Sequence, residues 1–151
     1  MKQLTIDTNY SASHPVKQEE ILLFEKKYNV KLPNYFIDFL IQYKGGRTKE
    51  HIFFLNSNEY GISSFLPFSY NRNDCIEKIY DVTISKEVDG GLERADLIPF
   101  ATDGGGNLYY LSIGKEDNDT VYYERLWTGK LRKLSNSFEE FIDGLYPENV
   151  S

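Results

Sequence analysis

The sequence predicts one α+β domain, in which an antiparallel, meander-like sheet of mixed strand order packs against an N-terminal pair of helices and a C-terminal helix. Three observations predict it. The 151 residues are the usual length of one domain. Helical patterns gather at the two ends of the chain, with strand-like segments between them, and no βαβ unit repeats as a parallel sheet would require. We expect a flexible lead-in over residues 1–14 and a single domain over residues 15–151.

Two helices are predicted at the start of the domain. Ile21, Phe24 and Tyr28 follow the i, i+3, i+7 spacing of one buried helix face. Pro33 favours the first position of a second helix, where its fixed φ is suitable and its missing N–H costs nothing. This helix is expected to end at Gly45-Gly46, because glycine readily adopts the left-handed conformation that stops a helix.

The middle of the chain predicts short strands and a third helix. Residues 52–55 and 64–68 are aromatic-rich and typical of strands, with residues 56–61 as a turn region. Residues 74–82 have apolar side chains at helical spacing and are predicted as a helix. The charged segment 86–96, which contains two glycines, is expected to form an exposed loop.

A meander is predicted in the last third of the chain. Residues 97–101 form an apolar run, in which Pro99 indicates either an edge strand or a bulge. Residues 102–107 contain three consecutive glycines and are typical of a tight turn. The remaining strands are predicted at 108–113, 120–127 and 131–134.

The last helix is predicted from its start signal. Ser137 and Glu140 match the Ser-x-x-Glu capping box, in which each side chain bonds a free backbone N–H of the first turn. Phe138, Phe141, Ile142 and Leu145 would form the buried face of this helix. Pro147 is expected to end it.

Charge and hydropathy exclude several classes of protein. The net charge is −6, and residues 51–151 carry nine Lys/Arg against seventeen Asp/Glu. An acidic chain is a poor candidate for nucleic-acid binding, which depends on clustered cations, and a basic protein partner suits it better. The apolar runs are far shorter than the roughly 20 residues that span a membrane, and no secretory h-region is present. We therefore expect a cytoplasmic protein that does not bind membranes.

The residues that carry most enzyme chemistry are sparse. The chain has two histidines, 37 positions apart, and one cysteine, a set that does not favour the three ligands of a catalytic zinc or the four of a structural zinc. Gly104-Gly105-Gly106 lacks the spacing of a nucleotide-binding loop. We expect no metal, no cofactor and no catalytic residue.

Aromatic residues on two consecutive strands are the best indication of a binding surface. Tyr109 and Tyr110 lie on one strand, and Tyr122, Tyr123 and Trp127 lie on the next. Because side chains alternate between the faces of a strand, some of these rings must point to each side of the sheet. Tyrosine and tryptophan are enriched at protein-binding hot spots.

Three stretches of the sequence resemble a known family. Residues 21–35 read ILLFEKKYNVKLPNY and precede Gly45-Gly46, residues 97–107 read LIPFATDGGGN, and residues 137–142 read SFEEFI. In this order they are similar to the SUKH superfamily, which includes yeast regulators of the Knr type and many bacterial immunity proteins. The resemblance spans about residues 15–146, and residues 56–96 depart from it most.

The resemblance implies a SUKH-like domain that binds and neutralises a toxin, often a nuclease that competing bacteria deploy. This chain would then be an antitoxin: a stoichiometric protein inhibitor whose partner is a cognate, basic nuclease domain. Two alternatives remain. A Knr-type regulatory scaffold would bind other proteins, and an enzyme or small-molecule-binding domain would need a pocket of convergent polar groups.

The resemblance does not locate the binding site, because the residues that carry it are interpreted as structural. We predict partner contacts where the meander brings acidic and aromatic residues together. The predicted residues are Glu116, Asp117, Asp119, Glu124 and Trp127, followed by Asp89, Glu93 and Asp96 of the acidic loop.

Overall fold

A computed structural model describes residues 1–8, 15–68, 74–84, 94–125 and 128–148. Its elements in chain order are α1 (Gln18–Tyr28), α2 (Asn34–Tyr43), β1 (Glu50–Leu55), β2 (Asn58–Gly61), β3 (Ser64–Phe65), α3 (Ile76–Thr83), β4 (Leu97–Thr102), β5 (Leu108–Ser112), β6 (Val121–Glu124), β7 (Leu131–Ser135), α4 (Phe138–Asp143) and β8 (Leu145–Pro147). The predicted α+β class is confirmed. None of the helices in the described ranges combines the length and the apolar character needed to cross a membrane.

The strands form two antiparallel sheets. The larger has the order β3-β4-β5-β6-β7, so the predicted meander is confirmed in β4 to β7. The smaller has the order β2-β1-β8 and was not predicted. It joins residues near the middle of the chain to residues at its end.

β2 lies in a segment that the sequence predicts as a turn. The turn consists of two residues only, Asn56 and Ser57, whose φ angles are 50° and 70°. Positive φ at both central positions is typical of the two-residue hairpin loop whose twist matches that of the flanking strands. The prediction of a turn over residues 56–61 is therefore wrong for 58–61, which pair with β1.

The last helix starts as predicted and ends early. The Ser137 side chain accepts a hydrogen bond from the Glu140 N–H at 3.0 Å, which confirms the cap. The chain turns at Gly144, where a Cβ atom would lie 2.7 Å from the Phe53 ring, so only glycine fits. The predictions that Leu145 lies on the helix and that Pro147 ends it are wrong. Both residues belong to β8, where Leu145 pairs with Phe53 and Pro147 pairs with Glu50.

The start of α2 differs by one residue from the prediction, and its left-handed stop lies at Lys44 and not at Gly45-Gly46. Pro33 is the residue before the helix, with φ −62° and ψ 146°, and not its first residue. The helix stops at Lys44, whose φ is 57° and whose N–H bonds the Leu40 carbonyl. Gly45 follows with φ +78°, and its Cβ would lie 2.8 Å from the Pro67 backbone nitrogen. The glycine is therefore needed for a close approach of two chain segments.

Pro99 lies in a central strand. β4 pairs with β3 on one side and β5 on the other, and its register with β5 shifts between Pro99 and Ala101. The bulge predicted from this proline is confirmed, and the edge position is wrong. The residue without a partner on β5 is Phe100, whereas Pro99 stays opposite Tyr110, so the proline lies beside the local break in the ladder.

The core lies between the five-stranded sheet and α2 and α4. The Phe138 ring lies 5.6 Å from that of Phe36, 5.1 Å from that of Phe39 and 5.3 Å from that of Phe100. Edge-to-face contacts at these distances are favourable and fill space densely. The aromatic-rich composition thus supplies the core that holds helices and sheet together.

Part of the predicted lead-in lies against the domain. Leu4 is buried, and its N–H donates to the Tyr43 hydroxyl at 2.9 Å. Ile6 forms an isolated antiparallel bridge with Thr48. The structure therefore shows residues 1–8 in contact with α2 and the segment before β1.

Candidate functional site

The predicted partner-binding residues lie on several elements. Glu116, Asp117 and Asp119 lie in the turn between β5 and β6, Asp96 precedes β4, and Glu124 ends β6. Three of the predicted residues fall outside the described ranges, namely Asp89, Glu93 and Trp127.

Arg94 binds two of the predicted acidic residues at once. Its Nε and Nη2 atoms donate to Asp96 at 2.9 and 3.1 Å, and its Nη1 and Nη2 atoms donate to Asp117 at 3.0 Å each. Ser112 and Tyr122 also donate to Asp117, each at 2.6 Å. Arg94 above all holds the pKa of Asp117 well below its ordinary value. We call these five residues the Arg94 cluster.

An open depression of about 620 Å³ lies over the Arg94 cluster. Lys115 and Glu116 complete its lining and are exposed, whereas the carboxylates of Asp96 and Asp117 are held by Arg94. Only part of the predicted acidic charge is therefore unpaired at this surface. Glu116 is the acidic residue here that a partner reaches most directly.

Asp119 joins the β5–β6 turn to two helices. Its Oδ1 atom accepts hydrogen bonds from the Tyr35 hydroxyl at 2.5 Å and from the Phe138 N–H at 3.0 Å. Asp119 has φ 75°, a conformation that aspartate tolerates better than most residues. Burial is the main cause that raises the pKa of Tyr35, and the Asp119 carboxylate raises this pKa further. Asp119 thus satisfies a free N–H of the first turn of α4.

Glu124 lies in the interior. It is 2% exposed, and its carboxylate accepts hydrogen bonds from the Tyr110 hydroxyl at 2.9 Å and from the Gly129 N–H at 3.0 Å. Burial raises its pKa above the ordinary value for glutamate. A partner that docks on the surface would not contact this carboxylate.

The glycine-rich turn after β4 is organised by Asp103. Its Oδ1 atom accepts from the N–H groups of Gly105 and Asn107, each at 2.9 Å. Its Oδ2 atom accepts from Asn107 Nδ2 at 2.9 Å and from the Tyr123 hydroxyl at 2.8 Å. Burial opposes ionisation, but these hydrogen bonds outweigh it and lower the pKa of Asp103. The predicted tight turn is confirmed, with Gly106 at φ +84°.

The meander tyrosines divide between the two faces of the sheet, as their alternation predicts. Tyr109 and Tyr123 belong to the main core, and Tyr110 and Tyr122 to a smaller cluster on the opposite face. Tyr109 and Tyr110 are fully buried, and Tyr122 and Tyr123 are partly buried. These rings serve packing first, and Trp127 lies outside the described residues.

Sequence reasoning missed Arg94, which organises much of this surface. Arg94 lies at the end of the segment predicted as a charged loop, and a single arginine among charged residues gives no pattern. Its partner Asp117 is 23 positions away. Only the fold shows that the two meet.

The polar side chains of these turns and strand ends form hydrogen bonds that hold the backbone in place. Within the ranges that the structure describes, no group of three or more His, Cys, Asp or Glu residues is placed to hold a metal ion. His51 lies with Nδ1 at 2.8 Å from the Lys49 carbonyl and Nε2 at 3.1 Å from Glu148. The titratable groups are thus engaged in contacts that fix turns and strand ends.

Comparison with known proteins agrees with the resemblance. The sequence model of the SMI1 / KNR4 family (SUKH-1) matches residues 15–144. This range contains all three stretches that carry the resemblance. No curated protein matches the chain. Since the family match covers most of the 151 residues, this chain belongs to the SMI1 / KNR4 family (SUKH-1).

Proposed function

We propose that this protein is an immunity protein, an antitoxin that binds a cognate toxin one-to-one and blocks it without catalysing a reaction. The observation that carries the proposal is the family match over residues 15–144. The SUKH resemblance implies a broad immunity-like or Knr-type role, in which the domain works by binding another protein.

The charge of the chain favours a basic partner. The net charge is −6, and all of the acidic excess lies after residue 50, where nine Lys/Arg stand against seventeen Asp/Glu. A nuclease needs clustered lysine and arginine residues to bind phosphates. An acidic inhibitor complements such a surface and is guided to it by long-range attraction. We therefore infer that the toxin is a basic nuclease domain that acts in the cytoplasm.

The protonation states of the buried groups support a binding role over catalysis. General acid-base catalysis at neutral pH needs a pKa near 7. Here the pKa values of Asp103 and Asp117 are lowered, and burial raises that of Tyr123 to about 12. Glu124, whose pKa is raised, is enclosed. The shifts at Asp103, Asp117 and Tyr123 keep these three groups in one charge state at neutral pH, which suits a rigid binding scaffold.

The proposal is tested by co-expression with the product of the adjacent gene, once that product alone is found to arrest growth. The chain should restore growth to cells that produce this toxin, and should not protect against an unrelated nuclease toxin of similar charge. Growth arrest despite full expression of the folded chain would rule out immunity. In that case a Knr-type scaffold becomes the better reading, and its partners would be found among host proteins.

Charge reversal at Glu116 tests the predicted acidic surface without disturbing the fold. Reversing Asp117 or Asp119 would break the internal hydrogen bonds described above, so lost binding could reflect unfolding. Glu116 is exposed. We expect Glu116→Lys to weaken toxin binding by about two- to fivefold at low salt, mainly through slower association, and to have little effect at high salt, where charges are screened.

The matched control is Glu19→Lys, which changes the net charge equally at an exposed position of α1. A larger effect at Glu116 than at Glu19 would place a toxin contact near the Arg94 cluster, and equal effects of the two variants would show that these charges act only by long-range attraction. Equal affinity of Glu116→Lys and the wild type at low salt would show that the prediction for Glu116 is wrong.

A further inference from the structure

The three-stranded sheet buries one face and exposes the other. Phe53 and Leu145 are a direct cross-strand pair, and both are buried. Because successive side chains of a strand point to opposite faces, Phe54 and Tyr146 lie on the outer face. Each is 45% exposed, and their ring centroids are 6.1 Å apart. The outer face therefore presents two adjacent, half-exposed aromatic rings.

The apolar surface extends across the sheet from these rings. Ile52 is the cross-strand partner of both Tyr146 on β8 and Gly61 on β2, so all three lie side by side on this face. We call Ile52, Phe54, Gly61 and Tyr146 the sheet patch. Aromatic residues at the centre of an exposed patch often supply most of the binding energy of a protein–protein interface.

Gly61 keeps the sheet patch flat. It is exposed, its φ is not in the left-handed region, and no atom lies within 4 Å of the position that a Cβ would occupy. The fold therefore does not require glycine at this position. The missing side chain leaves Ile52 and the backbone of β2 open to a docking surface.

Acidic residues surround the sheet patch. Glu59 is the direct cross-strand partner of Phe54 and is exposed. The Glu148 side chain, next to β8, is 64% exposed. Asp143 is exposed just before β8. The rim therefore carries three carboxylates around an apolar centre.

The nearby cation does not neutralise this rim fully. Lys2 donates its backbone N–H to Asp143 at 2.6 Å, and its Nζ donates to the Leu145 carbonyl at 2.6 Å. The same Nζ lies 4.8 Å from the centre of the Tyr146 ring. Lys2 thus holds the Tyr146 ring in place through a cation–π contact, and the rim keeps an excess of negative charge.

We propose that the sheet patch is the surface on which the toxin domain docks, with an apolar group of the toxin on Phe54 and Tyr146 and lysine or arginine side chains against the acidic rim. This assignment rests on the proposed function and names its binding surface. A second copy of this chain is a poorer occupant, because face-to-face docking would bring like-charged rims together. The patch combines an apolar centre with charge of the sign that a basic toxin needs.

The test uses the purified domain of the toxin identified by the growth assay above, in a catalytically inactive form, and measures its dissociation constant for each variant. Phe54→Ala and Tyr146→Ala should each weaken binding by about tenfold or more, mainly through faster dissociation. Gly61→Trp should weaken binding to a similar degree by blocking the patch. It should change thermal stability little, because a Cβ added at this position meets no atom outside its chain neighbours and the φ angle is not in the left-handed region.

The matched control is Gly104→Trp. Gly104 is exposed like Gly61, its φ is not in the left-handed region, and an added Cβ meets no atom within 4 Å. It differs in position, because it lies in the turn between β4 and β5. This variant should bind the toxin within about twofold of the wild type, since Gly104 lies outside the patch. If Gly61→Trp weakens toxin binding and Gly104→Trp does not, the sheet patch is the contact surface.

Other outcomes distinguish an error in the assigned docking surface from an error in the proposed function. If the wild type binds the toxin and the Gly61, Phe54 and Tyr146 variants bind equally well, the assignment of the surface is overturned while immunity stands. If the wild type does not bind, the proposed function is wrong and the assignment falls with it. If the chain is a dimer by light scattering and these variants abolish only the dimer, the patch is a self-association surface and the proposal is wrong.

Discussion

Phe138→Ala is expected to lower the free energy of unfolding by about 3 to 5 kcal/mol, the cost of removing a large aromatic side chain from a packed core. Phe138 is fully buried, and its ring contacts rings from α2 and β4. The surrounding side chains come from different elements, so they cannot collapse fully into the cavity. Urea denaturation followed by circular dichroism measures the change.

The expected loss is large because a domain of this size has a total stability of only about 5 to 15 kcal/mol. Phe54→Ala provides the control, since it removes the same atoms from a half-exposed position and should cost about 1 kcal/mol or less. Similar losses for the two variants would contradict the placement of the core. Phe138→Ala should also protect cells less against the toxin, because less of the protein is folded.

Arg94→Ala is expected to lower the free energy of unfolding by about 1 to 2 kcal/mol at neutral pH. The change removes hydrogen bonds to two carboxylates and leaves Asp96 and Asp117 close together without their counterion. Partial exposure of the Arg94 side chain keeps the effect below that of a buried ion pair. Arg132→Ala, at an exposed position of β7, should change stability by less than about 0.5 kcal/mol.

The effect of Arg94→Ala should depend on pH in a defined direction. Arg94 is the main cause of the lowered pKa of Asp117 in the folded state. An unfolded aspartate has a pKa of about 3.9, so in acid the unfolded state binds the proton first. The stabilisation is therefore complete above about pH 5, begins to be lost near pH 4 and is gone only when the pH reaches the lowered pKa of the folded Asp117. The difference in stability between the wild type and Arg94→Ala should shrink steadily below about pH 4, and a constant difference from about pH 7 to pH 3 would contradict this account.

Elements with a local signal could be predicted from the sequence. The helices α1 and α4 follow from apolar spacing and a capping serine, and the meander follows from apolar runs separated by glycine-rich turns. β2 and β8 gave no such signal. The sequence of β2, Asn-Glu-Tyr-Gly, is typical of a turn, and β8 ends in a proline; both are strands only because β1 lies between them. Their pairing is a non-local property of the fold.

The candidate surface was less predictable, for the same reason. Composition identified acidic residues near aromatic ones, but it did not show which carboxylates face inward. Glu124 is buried because the second face of the sheet is covered as well. Phe54 and Tyr146 are 92 positions apart, so their contact appears only when the three-stranded sheet forms. Patterns along the chain cannot show pairs of this kind.

The central claim is that the protein blocks a toxin by binding it one-to-one, and an activity titration tests it most directly. The purified toxin domain is held at a fixed concentration far above the dissociation constant, and its nuclease activity is measured as the chain is added. We predict a linear fall to zero at one molar equivalent, independent of incubation time. If far less than one equivalent inactivates the toxin, and the loss of activity grows with incubation time, the chain acts catalytically. If the toxin keeps full activity at several equivalents, the chain is not its inhibitor. Either result would contradict the account.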